Sequence, residues 1–146
     1  MTDTAETPAI STTGWVRDQT ETILATGTTA SVHVFDRPVV LVTLRAAKSG
    51  RLRYVPLMRV EHGGAYALVA SRGGAPTHPA WYAGLVKHPR VTIQDGTETA
   101  TYDVRELEGA ERDAWWERAV AAYPPYAEYQ EQTDRLIPVL LAEPAA

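Results

Sequence analysis

Hydrophobic positions in this chain fall into short runs broken by glycine and proline. SVHVF and PVVLVTL make residues 30–44 rich in β-branched and apolar types, and Pro38 stands where a strand can begin but not in its middle. KSGR then breaks the pattern. LRYVPLMRV and AYALVA read as two strands joined across EHGG, a hairpin whose glycines supply positive φ. VTIQ and TATYDVREL predict a second hairpin across Asp95-Gly96, and IPVLLAEP predicts a closing strand.

Helical periodicity appears in four places. Trp15 to Ala25 predicts a short helix with Gly27 as its stop and a thin apolar face of Trp15, Val16, Ile23 and Leu24. Pro79 to His88 predicts a second, with Thr77 as cap, Pro79 in the first turn and Pro89 ending it. Gly109 to Ala122 is rich in Ala, Glu and Arg and carries Trp115, Trp116 and Val120; Tyr123-Pro124-Pro125 stops it, and a shorter helix is expected over Tyr126 to Arg135. Strands linked by tight turns do not build parallel βαβ units, so the pattern predicts a small antiparallel barrel with helical insertions, mainly β with α. That order and the lack of G-x-G-x-x-G argue against a doubly wound nucleotide fold.

The 146 residues suit a single domain, expected over 14–146, behind a Thr-rich, polar and flexible tail at 1–13. The formal net charge of -4 argues against general nucleic-acid binding, but allows a local basic pocket. With no cysteine, disulfides, thiolate nucleophiles and zinc-thiolate sites are ruled out. The N-terminus shows no secretory pattern, and the longest apolar run falls far short of a membrane span. The expectation is a cytoplasmic protein. Membrane-peripheral contact through the N-terminal helix stays open, although the acidic, Thr-rich tail argues against it.

Two loops repeat one recipe. AAKSGRLR places Lys48, Arg51 and Arg53 around Ser49 and Gly50, and ASRGG places Arg72 between Ser71 and Gly73-Gly74, just before a helix start. Exposed backbone N–H groups and cationic forks both favour phosphate and carboxylate oxygens. Each loop alone also reads as a solvated turn; together they point to a shared anion site. Between them lies YVPLM, where Pro56 confines the strand to an edge or a break. YPPYAEY spaces Tyr123, Tyr126 and Tyr129 by three, one face if helical, either a substrate-side aromatic wall or a core stripe. The four histidines show no metal spacing, and no G-x-S-x-G is present.

Taken together, KSGRLRYVPLMRVEHGG, VASRGGAPTHPAWYAGL, HPRVTIQDG and YPPYAEYQEQTDRLIPVLLAEP resemble the deazaflavin (coenzyme F420)-dependent nitroreductase family, over about residues 38–144. The resemblance implies a split β-barrel like that of FMN-binding flavin reductases. It also implies coenzyme F420 as cofactor, an 8-hydroxy-5-deazaflavin with a ribityl phosphate and an oligoglutamate tail. By position, Lys48, Ser49 and Arg53 then match phosphate and tail contacts. Pro56, Leu57 and Met58 match the ring-lining strand, and Val69, Ala70, Ser71, Arg72 and Gly73 the second cofactor loop. Trp81 and Tyr82 match the helix that closes over the cofactor. Tyr123, Tyr126 and Tyr129 match the substrate-side aromatics, with Tyr126 or Tyr129 as proton donor. The implied activity is hydride transfer from reduced F420 to a quinone, nitroaromatic or activated alkene, without metal, in a monomer or homodimer. The sequence departs from the family pattern at Ala46-Ala47, where many relatives carry Gly-Arg, at Met58 for a Tyr in some, and at Gly84 for an Asn in several. An FMN-dependent split-barrel enzyme and a non-catalytic deazaflavin binder are the alternatives.

Overall fold

A computed structural model of the chain describes residues 7–11, 14–34 and 36–145. The expected tail at 1–13 therefore lies largely outside the described residues. The elements run in the order α1 (Gly14–Thr26), β1 (His33–Val34), β2 (Arg37–Arg45), β3 (Leu52–Met58), β4 (Glu61–His62), β5 (Ala65–Val69), α2 (Ala80–Lys87), β6 (Arg90–Asp95), β7 (Glu98–Glu106), α3 (Gly109–Ala122), α4 (Pro125–Glu131) and β8 (Val139–Pro144). All strand pairings are antiparallel, in the order β1-β2-β6-β7-β8-β5-β4, with β3 on β2.

The sheet curls into a half-barrel with helices, a split-barrel-like fold. The Tyr66 hydroxyl on β5 donates to Asp95 Oδ2 on β6 at 2.6 Å. β7 and β8 stand between those strands, and a flat sheet would hold them about 14 Å apart, three strand spacings. Alternate residues of every long strand line the enclosed side: Val40, Val42 and Leu44 from β2, Leu68 from β5, Val91 and Ile93 from β6, Leu140 and Ala142 from β8. Helices cover the outer face in two places. Trp115, Ala119, Tyr123 and Tyr126 lie on β5 and β8, and Ile23 of α1 lies on Val39 and Leu41 of β2. β2 is thus covered on both sides, which is why its sequence is an unbroken apolar run rather than an alternation.

The structure corrects three sequence expectations. Most of LRYVPLMRV does not pair with AYALVA: β3 pairs with β2 from Arg45↔Leu52 to Val39↔Met58, and only Val60 O, which accepts from Ala67 N–H, and the short β4 meet the 65–70 run, across Gly63-Gly64. The turn at KSGR closes with Ala46 N–H on Arg51 O and Gly50 N–H on Ala46 O, so the nearer apolar run captures β3. The α1 face is Val16, Thr20 and Ile23 rather than one including Leu24. Leu24 is 44% exposed, whereas Thr20 is buried with its hydroxyl donating to Val16 O; the Trp15 side chain lies outside what is described. Thr77 does not cap α2. That helix starts at Ala80 after Pro79, and the Thr77 hydroxyl instead accepts from Arg72.

One close approach fixes α2 against the barrel. A Cβ built on Gly84 would lie 2.2 Å from Arg45 O, at the end of β2. Only glycine allows this contact without a shift of backbone. Gly84→Ala is expected to lower unfolding stability by roughly 1–3 kcal/mol through overpacking, read as a drop in the urea midpoint; an unchanged midpoint would show that α2 moves away freely.

Candidate active site

β3 is an edge strand, and its free edge is divided in two. Residues 7–11 run along the first half, with Ala9 N–H on Leu52 O and Tyr54 N–H on Ala9 O. The edge-facing backbone groups are therefore those of Leu52 and Tyr54, and alternation turns Pro56 and Met58 the same way. Pro56 thus costs no hydrogen bond to β2, since its missing N–H would have pointed outward. Beyond Tyr54 no described strand covers this edge. Instead Val55, Pro56, Leu57 and Met58 line a cavity of about 1010 Å³.

Three separate segments close the cavity. Ala46, Ala47 and Lys48 come from the β2–β3 turn, Ser71, Arg72 and Gly73 from the loop after β5, and His78 to Trp81 from the start of α2. Val16 and Gln19 of α1 and the rings of Tyr123, Tyr126 and Tyr129 complete the wall. Lys48, Arg53 and Arg72 all lie on it, and among the described residues no carboxylate does. Among the described residues none of these three cations is paired with an acid, whereas Arg59, Arg90 and Arg105 each hold an Asp or Glu. In a chain of net charge -4, the cavity is a local pool of unneutralised positive charge. A second hollow of about 570 Å³, beside Arg37, Arg59, Glu61 and Arg118, lacks this property. There Arg37 donates to Ala122 O, Arg59 holds Asp95, and Arg118 lies over the Trp115 ring.

Backbone geometry aims Arg72. It sits at φ +48°, unusual for a non-glycine residue, followed by Gly73 at +63° and Gly74 at +82°. Such a conformation costs on the order of 1 kcal/mol and persists where surrounding contacts impose it. Gly74 supplies one such contact: a Cβ there would lie 2.8 Å from Tyr129 O, so the loop packs directly on α4. Arg135 supplies the rest. Its guanidinium donates to Ala75 O at 2.8 Å, Ser71 O at 2.6 Å and Ala70 O at 3.2 Å, and reaches His78 Nδ1 at 2.9 Å. Burial, and then the Arg72 charge, lower its pKa below the usual arginine value. Arg135 is invisible to motif reasoning because its partners lie 57–65 residues away; so are His78 and Gln19, which also line the wall.

The tyrosines converge differently from the helical stripe expected. Tyr123 follows the end of α3, while Tyr126 and Tyr129 belong to α4. Their rings still pack as a cluster, Tyr123 and Tyr126 edge to face at 4.9 Å, and the Tyr123 and Tyr129 hydroxyls lie 3.0 Å apart. Burial first, then the bond to Tyr129, raises the Tyr123 pKa to about 12; burial raises that of the enclosed Tyr126 still more clearly. The Tyr123 and Tyr126 hydroxyls therefore enter neutral chemistry as donors, not phenolates.

Of the residues singled out in the sequence, Lys48, Arg53, Pro56, Leu57, Met58, Val69, Ser71, Arg72, Gly73, Trp81 and the three tyrosines line this one cavity. Ser49, Ala70 and Tyr82 do not. The Ser49 hydroxyl accepts from Arg51 N–H, Ala70 is fully buried in the barrel, and the Tyr82 hydroxyl donates to Glu106 at 2.5 Å. Among the described residues no helix is long and apolar enough to cross a membrane, and no three His, Asp or Glu side chains gather as a metal site would need.

Residues 15–144 match the family described as F420H(2)-dependent quinone reductase. Over 107 residues the chain is 32% identical to a putative F420H(2)-dependent quinone reductase of Mycobacterium tuberculosis, covering 73% of this chain and 90% of that protein. Two solved structures are each 60% identical to it. One, described as the F420-H2 dependent reductase FDR-A, superposes with a TM-score of 0.70 over 77% of this chain and 99% of its own. The other, described as a domain-swapped dimer, gives 0.72 over 91% and 100%.

The raised tyrosine pKa values have a consequence for stability. A hydroxyl that binds its proton more tightly folded than unfolded contributes stability that is complete below pH 10. That contribution is lost as pH rises through the folded value, about 12 for Tyr123. Melting temperature measured from pH 9 upward is expected to fall over this window, and less steeply in Tyr123→Phe; equal slopes would contradict the assignment.

Proposed function

The chain belongs to the F420H(2)-dependent quinone reductase family, and from that premise we propose that its cavity holds reduced coenzyme F420 beside a planar acceptor. The acceptor class is quinones, with nitroaromatics and activated alkenes as further substrates. The protein is an oxidoreductase whose cofactor is F420. One observation carries the assignment of the site: among the described residues, three cations without an acid partner ring a cavity that no carboxylate lines.

The residues present fit the cofactor. Its phosphate and glutamate carboxylates need positive charge, and its ring needs a flat apolar slot. Lys48, Arg53 and Arg72 offer the first, and Pro56, Leu57, Met58 and Trp81 the second. A volume of about 1010 Å³ lies at the top of the usual range for ligand pockets, enough for a cofactor and a small acceptor together. With no cation at Ala46-Ala47, Lys48 and Arg53 are the charges that the first loop brings to the cavity wall.

When bound, the reduced deazaflavin supplies a hydride from its ring carbon C5. The chain's own residues do the rest, by positioning and electrostatics. Arg72 is held rigidly on its left-handed turn, so little entropy is lost when it meets an anion. Apolar walls at Pro56 to Met58 exclude water from the ring face. The Tyr126 hydroxyl, whose pKa burial raises, and that of Tyr129 hydrogen-bond the acceptor oxygen, and one of the two delivers a proton as negative charge develops there. The 60% identical domain-swapped dimer supports a homodimer as the assembly.

Mixing the protein with reduced F420 and menadione should restore the absorbance of the oxidised cofactor; no recovery, with a quinone panel also inert, would refute the reading. Each contact of a guanidinium with an anion is worth roughly 1.5–3 kcal/mol. Arg72→Ala is therefore expected to weaken F420 binding by about 10- to 100-fold in a fluorescence titration, and unchanged affinity would remove Arg72 from the anion site. Tyr126→Phe is expected to lower kcat more than it raises KM; turnover at the wild-type rate would remove the proton role.

A further inference from the structure

His78 was not among the residues that the sequence pointed to. We propose that it is a ligand-binding residue whose Nε2–H donates into the cavity, to a phosphate or carboxylate oxygen of the cofactor's anionic stem, with Arg135 fixing the proton on that nitrogen. This inference rests on the function proposed above.

The tautomer follows from the partner. A guanidinium has donors and no acceptor. Arg135 Nη1 lies 2.9 Å from His78 Nδ1, so Nδ1 is the acceptor and carries no proton. The single proton of the neutral ring therefore sits on Nε2. Arg135 cannot turn away, because three backbone carbonyls, of Ala70, Ser71 and Ala75, hold the same guanidinium. The ring itself is braced from another side. Tyr82 packs against it with centroids 4.5 Å apart at 42°, and the Tyr82 hydroxyl is tied to Glu106. This gives Tyr82, which stays off the cavity wall, a supporting place behind His78.

His78 lines the cavity beside Pro79, Ala80, Arg72 and Gly73. Among the described residues its Nε2 has no hydrogen-bond partner, while the side chains around it are engaged: Arg72 with Thr77, Arg135 with its carbonyls, Tyr82 with Glu106. The corner thus presents the His78 Nε2–H, a donor without a partner, next to a cation that no acid neutralises. A donor beside a positive charge suits an oxyanion. A ring carbonyl would more naturally find the uncharged wall at Pro56 to Met58.

Two substitutions separate the binding role from a structural one. Asparagine places an acceptor near the Nδ1 position and has nothing at Nε2; glutamine does the reverse. H78N should keep the Arg135 bond and the melting temperature but weaken F420 binding by about 10-fold. H78Q should stay within about 3-fold of wild type in affinity while melting lower. Neither should change affinity for a deazaflavin riboside that lacks the phosphate and glutamates. Wild-type affinity in H78N would overturn the proposal, as would an equal loss toward the phosphate-free riboside, which would move the contact to the ring. If wild type itself fails to bind F420, the function proposed above falls instead, and this inference with it.

Discussion

The uncovered half of the β3 edge is the constraint from which the site follows. A strand edge must be paired, covered or put to use, because its backbone groups are otherwise left without partners. Residues 7–11 pair with the edge at Leu52 and Tyr54, and Pro56 removes the donor that the next edge-facing position would have offered. What remains is a short, apolar, donor-poor edge that cannot recruit another strand. The loops that follow β2 and β5, the start of α2 and the tyrosine cluster close around it. The cavity is thus the place where the sheet stops, not a hole cut into a finished core.

Charge is distributed to match. Elsewhere on the surface Arg17, Arg59, Arg90 and Arg105 are neutralised by acids a turn or a strand away, as with Arg90 and Asp103 or Arg105 and Glu111. Around the cavity this pairing is absent, and holding Lys48, Arg53 and Arg72 near one another is unfavourable until an anion arrives. Arg135 adds a fourth positive charge behind the loop, spent on backbone carbonyls rather than on the ligand. The same guanidinium imposes the left-handed turn that aims Arg72 and fixes the face that His78 presents. Rigidity and electrostatics therefore come from one residue, and the site is prepared before any ligand binds.

Much of this was legible in the chain. The two glycine-bearing cationic loops, the proline in an edge strand and the tyrosine spacing are local signals. The α3 helix matches its expected bounds because propensity and the Tyr123-Pro124-Pro125 stop agree. The hairpin at Asp95-Gly96 matches because its turn residues demand positive φ, +65° at Gly96. Errors arose where two long-range alternatives competed, as when β3 chose β2 over β5. Tyr82 and Thr77 were read as site and cap, but packing turned their hydroxyls to Glu106 and Arg72.

By itself the sequence determined the class of fold, the strands and helices, the chemistry of the cavity's charge and the family. Each of those is written in residues close together along the chain, where period, turn type and composition act. The tertiary structure alone decided which strand lies at the edge, that three loops meet there, and that Arg135 reaches back 57 residues to His78 and 64 to Ser71. No local pattern encodes such contacts, because they exist only after the sheet has curled and brought distant carbonyls within reach of one guanidinium.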